Sequence, residues 1–104
     1  MKEDNVAITK EEAEVIFRVP TTNVINVSQE LETRILQYMI KNHLLHFETV
    51  KIYAAGGSIG KAISAAKSLE TEGAAVFDKV ETGFEEEERS HLPTIEIILG
   101  RIKK

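Results

Sequence analysis

The chain has 104 residues, of which 42% are hydrophobic, and this predicts a single domain with one modest core. It contains no cysteine, which excludes disulfides, thiolate metal sites and cysteine nucleophiles. The formal net charge is −4, and no apolar stretch is long enough for a membrane span or a signal peptide, so we expect a soluble protein of the cytoplasm, the nucleus or both.

The beginning of the chain is polar and has no sustained periodicity. Residues 1–12 are therefore predicted to form a flexible N-terminal arm, and residues 13–104 a single domain. The β-rich run of residues 15–19 is stopped by Pro20, which predicts a first strand. Residues 20–23 have turn chemistry and predict the loop that follows it.

The next two elements are predicted to be a helix and a second strand. Asn26 or Ser28 can cap a helix, with Gln29 placed as in a capping box. Apolar residues then recur at helical spacing, at Leu31, Ile35, Tyr38 and Met39. Residues 50–55 alternate with a period of two, which is typical of a strand with one buried face.

A second helix and two further strands complete the domain. The helix is predicted to begin after Ser58 and to end at Gly73 in a left-handed conformation. A third strand surrounds Val76 and Val80, residues 83–93 form a polar hairpin connection, and residues 94–102 form the last strand. The order β-α-β-α-β-β predicts an α+β fold, a four-stranded mixed sheet with two helices packed on one face.

The segment of residues 50–67 resembles the central motif of the Alba (Sac10b) family of chromatin and RNA-binding proteins. That motif is a strand ending in Ala-x-Gly-x-Ala-Ile that runs into a helix beginning Ser-Lys-Ala-Val. The positions that match it here are Ala54, Gly56, Ile59, Lys61, Ala62 and Ile63. Residues 93–99 are similar to the closing Ser-Thr-Ile-Glu-Ile strand of the family, and the Alba-like pattern extends over residues 15–104.

The resemblance implies a nucleic-acid-binding protein that forms dimers through its second helix and late strands. Eukaryotic relatives in ribonuclease P and MRP pair with a different Alba-like subunit. The lysine pair typical of the family's first loop is absent from residues 20–23, and the basic residues that commonly flank the motif glycine are replaced by Ala55 and Gly57. Because missing phosphate contacts weaken DNA coating, we expect RNA more than DNA as the ligand.

The turn between the second strand and the second helix is the principal site candidate. The amides of Gly56, Gly57 and Ser58 could hold a phosphate, helped by the helix dipole and by Lys61. The alternative is a tight turn with a helix cap and no ligand. A nucleotide-hydrolysing P-loop is excluded, because its spacing is one residue longer and Ala62 replaces its Ser or Thr.

Other residues are candidates for contact with phosphates or bases. They are Arg18, Lys51, Tyr53, Arg89 and Arg101. Tyr53 lies on the strand face opposite the predicted core, where it could stack on a base or sit half-buried at an interface. Residues 85–88 are four consecutive acids, which are either solvated or dock on a basic protein.

No pattern in the sequence indicates catalysis, a metal or a cofactor. His43 and His46 are three residues apart, but a metal site needs further ligands. No nucleophile stands beside a base, so we expect a protein that is not an enzyme. Two functions remain: a homodimer that binds RNA or DNA, and a scaffold subunit of a ribonucleoprotein, such as a ribonuclease P/MRP-type complex, that forms a heterodimer with a more basic Alba-like chain.

Overall fold

Three α-helices and four strands make up the described part of the computed structural model, residues 9–87 and 90–102. In chain order they are α1 (Lys10–Ile16), β1 (Val24–Asn26), α2 (Thr33–His46), β2 (Thr49–Ala55), a 3₁₀ turn (Gly56–Ser58), α3 (Ile59–Thr71), β3 (Ala75–Glu87) and β4 (Ser90–Arg101). None of the described helices is long and apolar enough to span a membrane.

The strands form one mixed sheet in the order β1-β2-β4-β3. β1 pairs with β2 in parallel, and the β2–β4 and β4–β3 pairs are antiparallel. The parallel pair requires a crossover, and α2 provides it. The predicted α+β class with a four-stranded mixed sheet is therefore confirmed.

The core lies between one face of the sheet and the helices α2 and α3. Alternate residues of β2 and β4 are buried, as a strand with one covered face requires. They pack with the apolar stripes of the two helices, and the small side chains of α3 allow it to lie close to the sheet. The buried helix residues of this core include Leu36, Ile40 and Leu44 of α2 and Ala62, Ala65, Ala66 and Leu69 of α3. No helix of residues 9–87 and 90–102 lies over the other face of the sheet.

The prediction of a first strand over residues 15–19 is wrong, because this segment ends helix α1 and begins a loop. Thr9 caps the helix: its hydroxyl accepts from the Glu12 amide at 3.0 Å, and the Glu12 carboxylate accepts from the Thr9 amide at 3.1 Å. This reciprocal capping box outweighs the β propensity of the following residues. Of the arm predicted over residues 1–12, residues 1–8 lie outside the described part of the chain, and residues 10–12 form the first turn of α1.

The first strand is instead the short β1, and this changes which loop follows it. Residues 20–23 precede the strand, and residues 27–32 connect it to α2. The N-cap of α2 is Glu32, so neither Asn26 nor Ser28 caps the helix as predicted. The loop between the first strand and the next helix therefore contains two acidic residues, Glu30 and Glu32.

The polar connection predicted over residues 83–93 is also wrong, because most of it is paired strand. β3 and β4 pair out to Glu87 and Ser90. The β2 pairing ends at Ala55 and Thr94, so residues 84–87 and 90–93 form a two-stranded arm that extends beyond β2. We call this segment the β3–β4 arm. A β-bulge between Phe77 and Lys79 increases the local twist at the other end of β3.

Candidate nucleic-acid interface

The glycine turn, defined as residues 56–58, connects the end of β2 to the start of α3. Gly56 has a φ of 57°, a left-handed backbone conformation that residues other than glycine adopt only at a cost in free energy. Ser58 is buried, and its hydroxyl donates to the Ala55 carbonyl at 2.9 Å while accepting from the Ala55 amide at 3.3 Å. The Ser58 hydroxyl thus closes the turn internally and is not directed at a ligand.

Lys61 and Gln29 lie together beside the glycine turn. The Lys61 ammonium donates to the backbone carbonyl of Gln29, which belongs to the loop after β1. A Cβ placed on Gly57 would lie 2.8 Å from Gln29 Nε2, so the Gln29 side chain passes directly over this glycine. The loop and the turn therefore form one continuous surface, whose single described cation is Lys61.

The arrangement at the start of α3 suits an anion. The first amides of a helix have no partner within the helix, and their dipoles point toward its N-terminus. Gly57 and Gly60 are exposed and add no side chains of their own to this end, and the side chain that passes over Gly57 is the flexible Gln29. Lys61 adds a positive charge within the first turn, and its exposed bond to a carbonyl leaves the ammonium able to contact a phosphate as well.

Lys51 and Tyr53 lie on the uncovered face of the sheet and are both engaged by acidic residues. Lys51 Nζ is 3.8 Å from Glu96 Oε1 on the neighbouring strand. The Tyr53 hydroxyl donates to the Glu85 carboxylate of the β3–β4 arm. This hydrogen bond, burial, and the negative charges of Glu85 and Glu96 raise the pKa of Tyr53 above its usual value of 10.0.

The structure separates the predicted contact residues between two ends of the sheet. The glycine turn and Lys61 follow the last residue of β2, and the β3–β4 arm projects at the same end. Arg101 lies at the other end, where its amide donates to the Glu48 carbonyl just before β2. Arg18 precedes β1 at that end also, because Asn23 is bonded to Thr49 at the start of β2. Arg89 lies outside the described residues.

His43 and His46, for which the sequence predicts no metal site, each have a ring nitrogen close to a backbone carbonyl of the same helix. Nδ1 of His43 is 2.9 Å from the Met39 carbonyl, and Nδ1 of His46 is 3.1 Å from the Asn42 carbonyl. Among residues 9–87 and 90–102, no three side chains of His, Cys, Asp or Glu come together as metal ligands.

Two features of this region were not predicted from the sequence. Gln29 is part of the surface at the glycine turn, although it stands far from that turn in the chain and only the tertiary fold brings them together. Phe17 is not part of a strand but caps the C-terminus of α1, with 65% of its surface exposed. The Thr9-x-x-Glu12 capping pattern was the available signal for that helix.

Comparison with known proteins identifies the architecture. No family model matches the sequence, and no curated protein matches it. Among solved structures, ALBA1 from Trypanosoma brucei has a TM-score of 0.69 at 22% identity, covering 76% of this chain and 68% of that one. Alba from Thermoplasma volcanium has a TM-score of 0.66 at 24% identity, covering 76% of this chain and 100% of that one. The chain therefore has an Alba-like fold.

Proposed function

We propose that this protein binds nucleic acid, with RNA preferred to DNA, through the glycine turn and Lys61. The observation that carries the proposal is the exposed start of α3, where a left-handed Gly56 leads into a helix whose first turn presents Lys61. Backbone amides, a helix dipole and an ammonium together form a site for one phosphate of a polyanion. The Alba-like fold supports it, because the family that the motif resembles binds nucleic acid.

The preference for RNA is supported by the charges around the site. The loop of residues 27–32 carries Glu30 and Glu32, and Lys51 is paired with Glu96, so few cations remain to neutralise a duplex. Affinity for duplex DNA depends mainly on the number of phosphate contacts. Single-stranded RNA offers unstacked bases and 2′-hydroxyls, which give affinity without many charges.

The proposal is tested by titrating the protein with labelled single-stranded RNA, single-stranded DNA of the same sequence, and duplex DNA. If the protein contacts about three phosphates of the RNA, raising the salt concentration from about 50 to about 200 mM should weaken RNA binding roughly 20-fold. Lys61→Ala should weaken binding and lower the salt slope by about 0.7, because one contact is lost. Lys67→Ala is the control, since it removes the same charge from an exposed position of the same helix. Equal effects of the two variants would contradict a localised site.

Dimerisation is the second part of the proposal and is supported by an exposed apolar surface. Ile63 of α3 and Val80 and Phe84 of β3 have 41%, 48% and 71% of their surface exposed. Glu72 of α3 pairs with Lys41 of α2, so the flank of α3 that carries Glu72 and Lys61 faces α2. Helical geometry then directs Ile63, two residues after Lys61, to the opposite flank, toward β3. The three residues, which we call the α3–β3 apolar surface, belong to the elements through which Alba proteins pair.

A scaffold role is the second candidate function, and the acidic β3–β4 arm favours it. Glu85 and Glu86 are exposed beside Phe84, and a surface of this kind complements a partner that is both apolar and basic. In this case the chain is a heterodimer subunit of a ribonucleoprotein and its more basic Alba-like partner holds the RNA. Mixing experiments separate the two functions: the scaffold role predicts no RNA binding alone and a stable complex with a basic Alba-like chain.

A further inference from the structure

We infer that the surface formed by Lys10, Phe17, Arg18 and Val19 is a second nucleic-acid contact that takes one unpaired nucleotide of a single strand. We call it the Phe17 platform. The inference rests on the proposed function, since it presumes a nucleic-acid ligand, but it uses residues at the end of the sheet opposite the glycine turn. A base would stack on the Phe17 ring and the neighbouring phosphate would contact Arg18 or Lys10.

Phe17 and Val19 are apolar yet face solvent, with 65% and 67% of their surface exposed. The backbone of Phe17 and of Arg18, which lies between them, is nevertheless held in place by two hydrogen bonds. The Phe17 amide donates to the Ala13 carbonyl at 2.9 Å, and the buried Asn42 side chain donates to the Arg18 carbonyl at 2.9 Å. A rigid backbone that presents an aromatic ring outward reduces the ordering cost of binding a ligand there.

The two cations of the platform are not paired with any carboxylate that the structure describes. In the part of the chain that the structure describes, Lys41, Lys51 and Lys79 each have a carboxylate within ion-pair distance. Lys10 and Arg18 have none among the described residues. They line one open concavity of about 580 Å³ together with Phe17, Ala13 and Glu14. Glu14 is the only acid among these lining residues, so the concavity has a net positive charge.

Arg18 also reaches a second concavity, and this favours a nucleotide over a purely apolar ligand. That space, of about 220 Å³, is lined by Thr21, Thr22 and His43 as well as Arg18 and Val19. Hydroxyl, imidazole and guanidinium groups beside an exposed aromatic ring are the groups that contact phosphate, sugar and base in single-strand recognition. An acidic protein segment would use the same charges, but it has no need of a ring face, and this difference is testable.

The test compares three variants of the platform in binding to single-stranded and duplex RNA. Phe17→Leu keeps an apolar side chain but removes the ring, and loss of stacking should weaken single-strand binding about fivefold to a hundredfold. Phe17→Tyr keeps the ring and should bind as the wild type does. Arg18→Gln should weaken binding and lower the salt slope, because a phosphate contact is lost. Duplex RNA should respond little to Phe17→Leu, because its bases are already stacked.

Each outcome either supports or overturns the inference. RNA containing 4-thiouridine should cross-link to Phe17 or Val19, as mapped by mass spectrometry. If Lys61→Ala weakens RNA binding but Phe17→Leu and Arg18→Gln do not, the platform is not a nucleic-acid site, and a protein-docking surface takes its place. If Phe17→Leu weakens binding and Lys61→Ala does not, the glycine-turn proposal fails alone. Because Phe17 and Arg18 are exposed, unchanged melting temperatures will show that the variants fold.

Discussion

The two adjacent glycines of the turn have different structural roles. Gly56 needs its left-handed φ of 57°, and an added Cβ would also lie 3.0 Å from Leu92 Cδ1. Gly57 has no positive φ, and its Cβ would meet only the end of the flexible Gln29 side chain. We predict that Gly56→Ala lowers the free energy of unfolding by about 1–2 kcal/mol, whereas Gly57→Ala changes it by less than about 0.5 kcal/mol. Urea denaturation of the two variants checks this, and equal losses would contradict it.

The hydrogen bond from Tyr53 to Glu85 joins the β3–β4 arm to the centre of the sheet. It is the main reason why the pKa of Tyr53 is raised. A raised pKa in the folded state means that the contribution of this bond is complete below pH 10 and is lost as the pH rises beyond the folded pKa. We predict that Tyr53 ionises above pH 10 and that Glu85→Ala moves this ionisation downward.

Ultraviolet absorbance in a Tyr38→Phe background measures this ionisation directly. The chain has two tyrosines, so Tyr53 is then the only one that titrates. Lys79→Ala serves as a control, because Lys79 pairs with Glu81 on the same strand and does not contact the tyrosine. A Tyr53 titration curve that is unaffected by Glu85→Ala would show that the bond to the arm does not form in solution.

At the level of elements, α2 holds the segment after α1 through one buried side chain. Asn42 is 8% exposed, and its amide is bonded to the Arg18 carbonyl at 2.9 Å. Asn42→Ala leaves that carbonyl without its partner, and we predict a loss of about 1–3 kcal/mol in the free energy of unfolding. Leu45→Ala on the same helix is the control, because Leu45 is 76% exposed and should change stability little. A similar effect of both substitutions would mean that Asn42 does not anchor the segment.

Periodicity predicted the long elements and misled where a strand is short. The alternation in β2 and the helical spacing in α2 and α3 extend over several residues, so the sheet, two helices and the left-handed stop at Gly73 could be predicted. β1 has only three residues, too few for a period of two to be recognised. The β-rich residues 15–19 then took its place in the prediction, although the Thr9 capping box already indicated a helix.

Part of the candidate site could be predicted, because it is local in sequence. The glycine turn and Lys61 both lie within the motif of residues 50–67, and they are close together in the fold. Three other contacts of the site join residues that are distant in the chain. They are the hydrogen bond from Lys61 to Gln29, the ion pair of Lys51 with Glu96 and the hydrogen bond from Tyr53 to Glu85. Sequence alone gives no register for such contacts, so it could not show that Lys51 and Tyr53 have acidic partners.

For the whole molecule, the distribution of charge matters more than its sum. The net charge of −4 opposes a polyanion, and the acids of the β3–β4 arm lie at the same end as the glycine turn. Lys51 and Lys79 are neutralised locally on the sheet, whereas Lys10 and Arg18 have no carboxylate partner among the described residues and make the opposite end relatively more positive. An RNA strand that contacts both ends would run along about 20 Å of the seven-residue strand β2.

The α3–β3 apolar surface gives the last prediction, which concerns assembly. An aromatic side chain that is 71% exposed in the single chain contributes strongly when a second chain covers it. We predict that Phe84→Ser raises the dissociation constant of the dimer at least about tenfold, equivalent to about 1.4 kcal/mol, without lowering the melting temperature of the monomer. Sedimentation over a range of concentrations measures this, with Leu45→Ser as a control of similar exposure on α2.

Because a dimer presents two glycine turns, the monomeric variant should also lose RNA affinity through reduced avidity. A wild-type chain that stays monomeric alone and dimerises only with a basic Alba-like chain would favour the scaffold role.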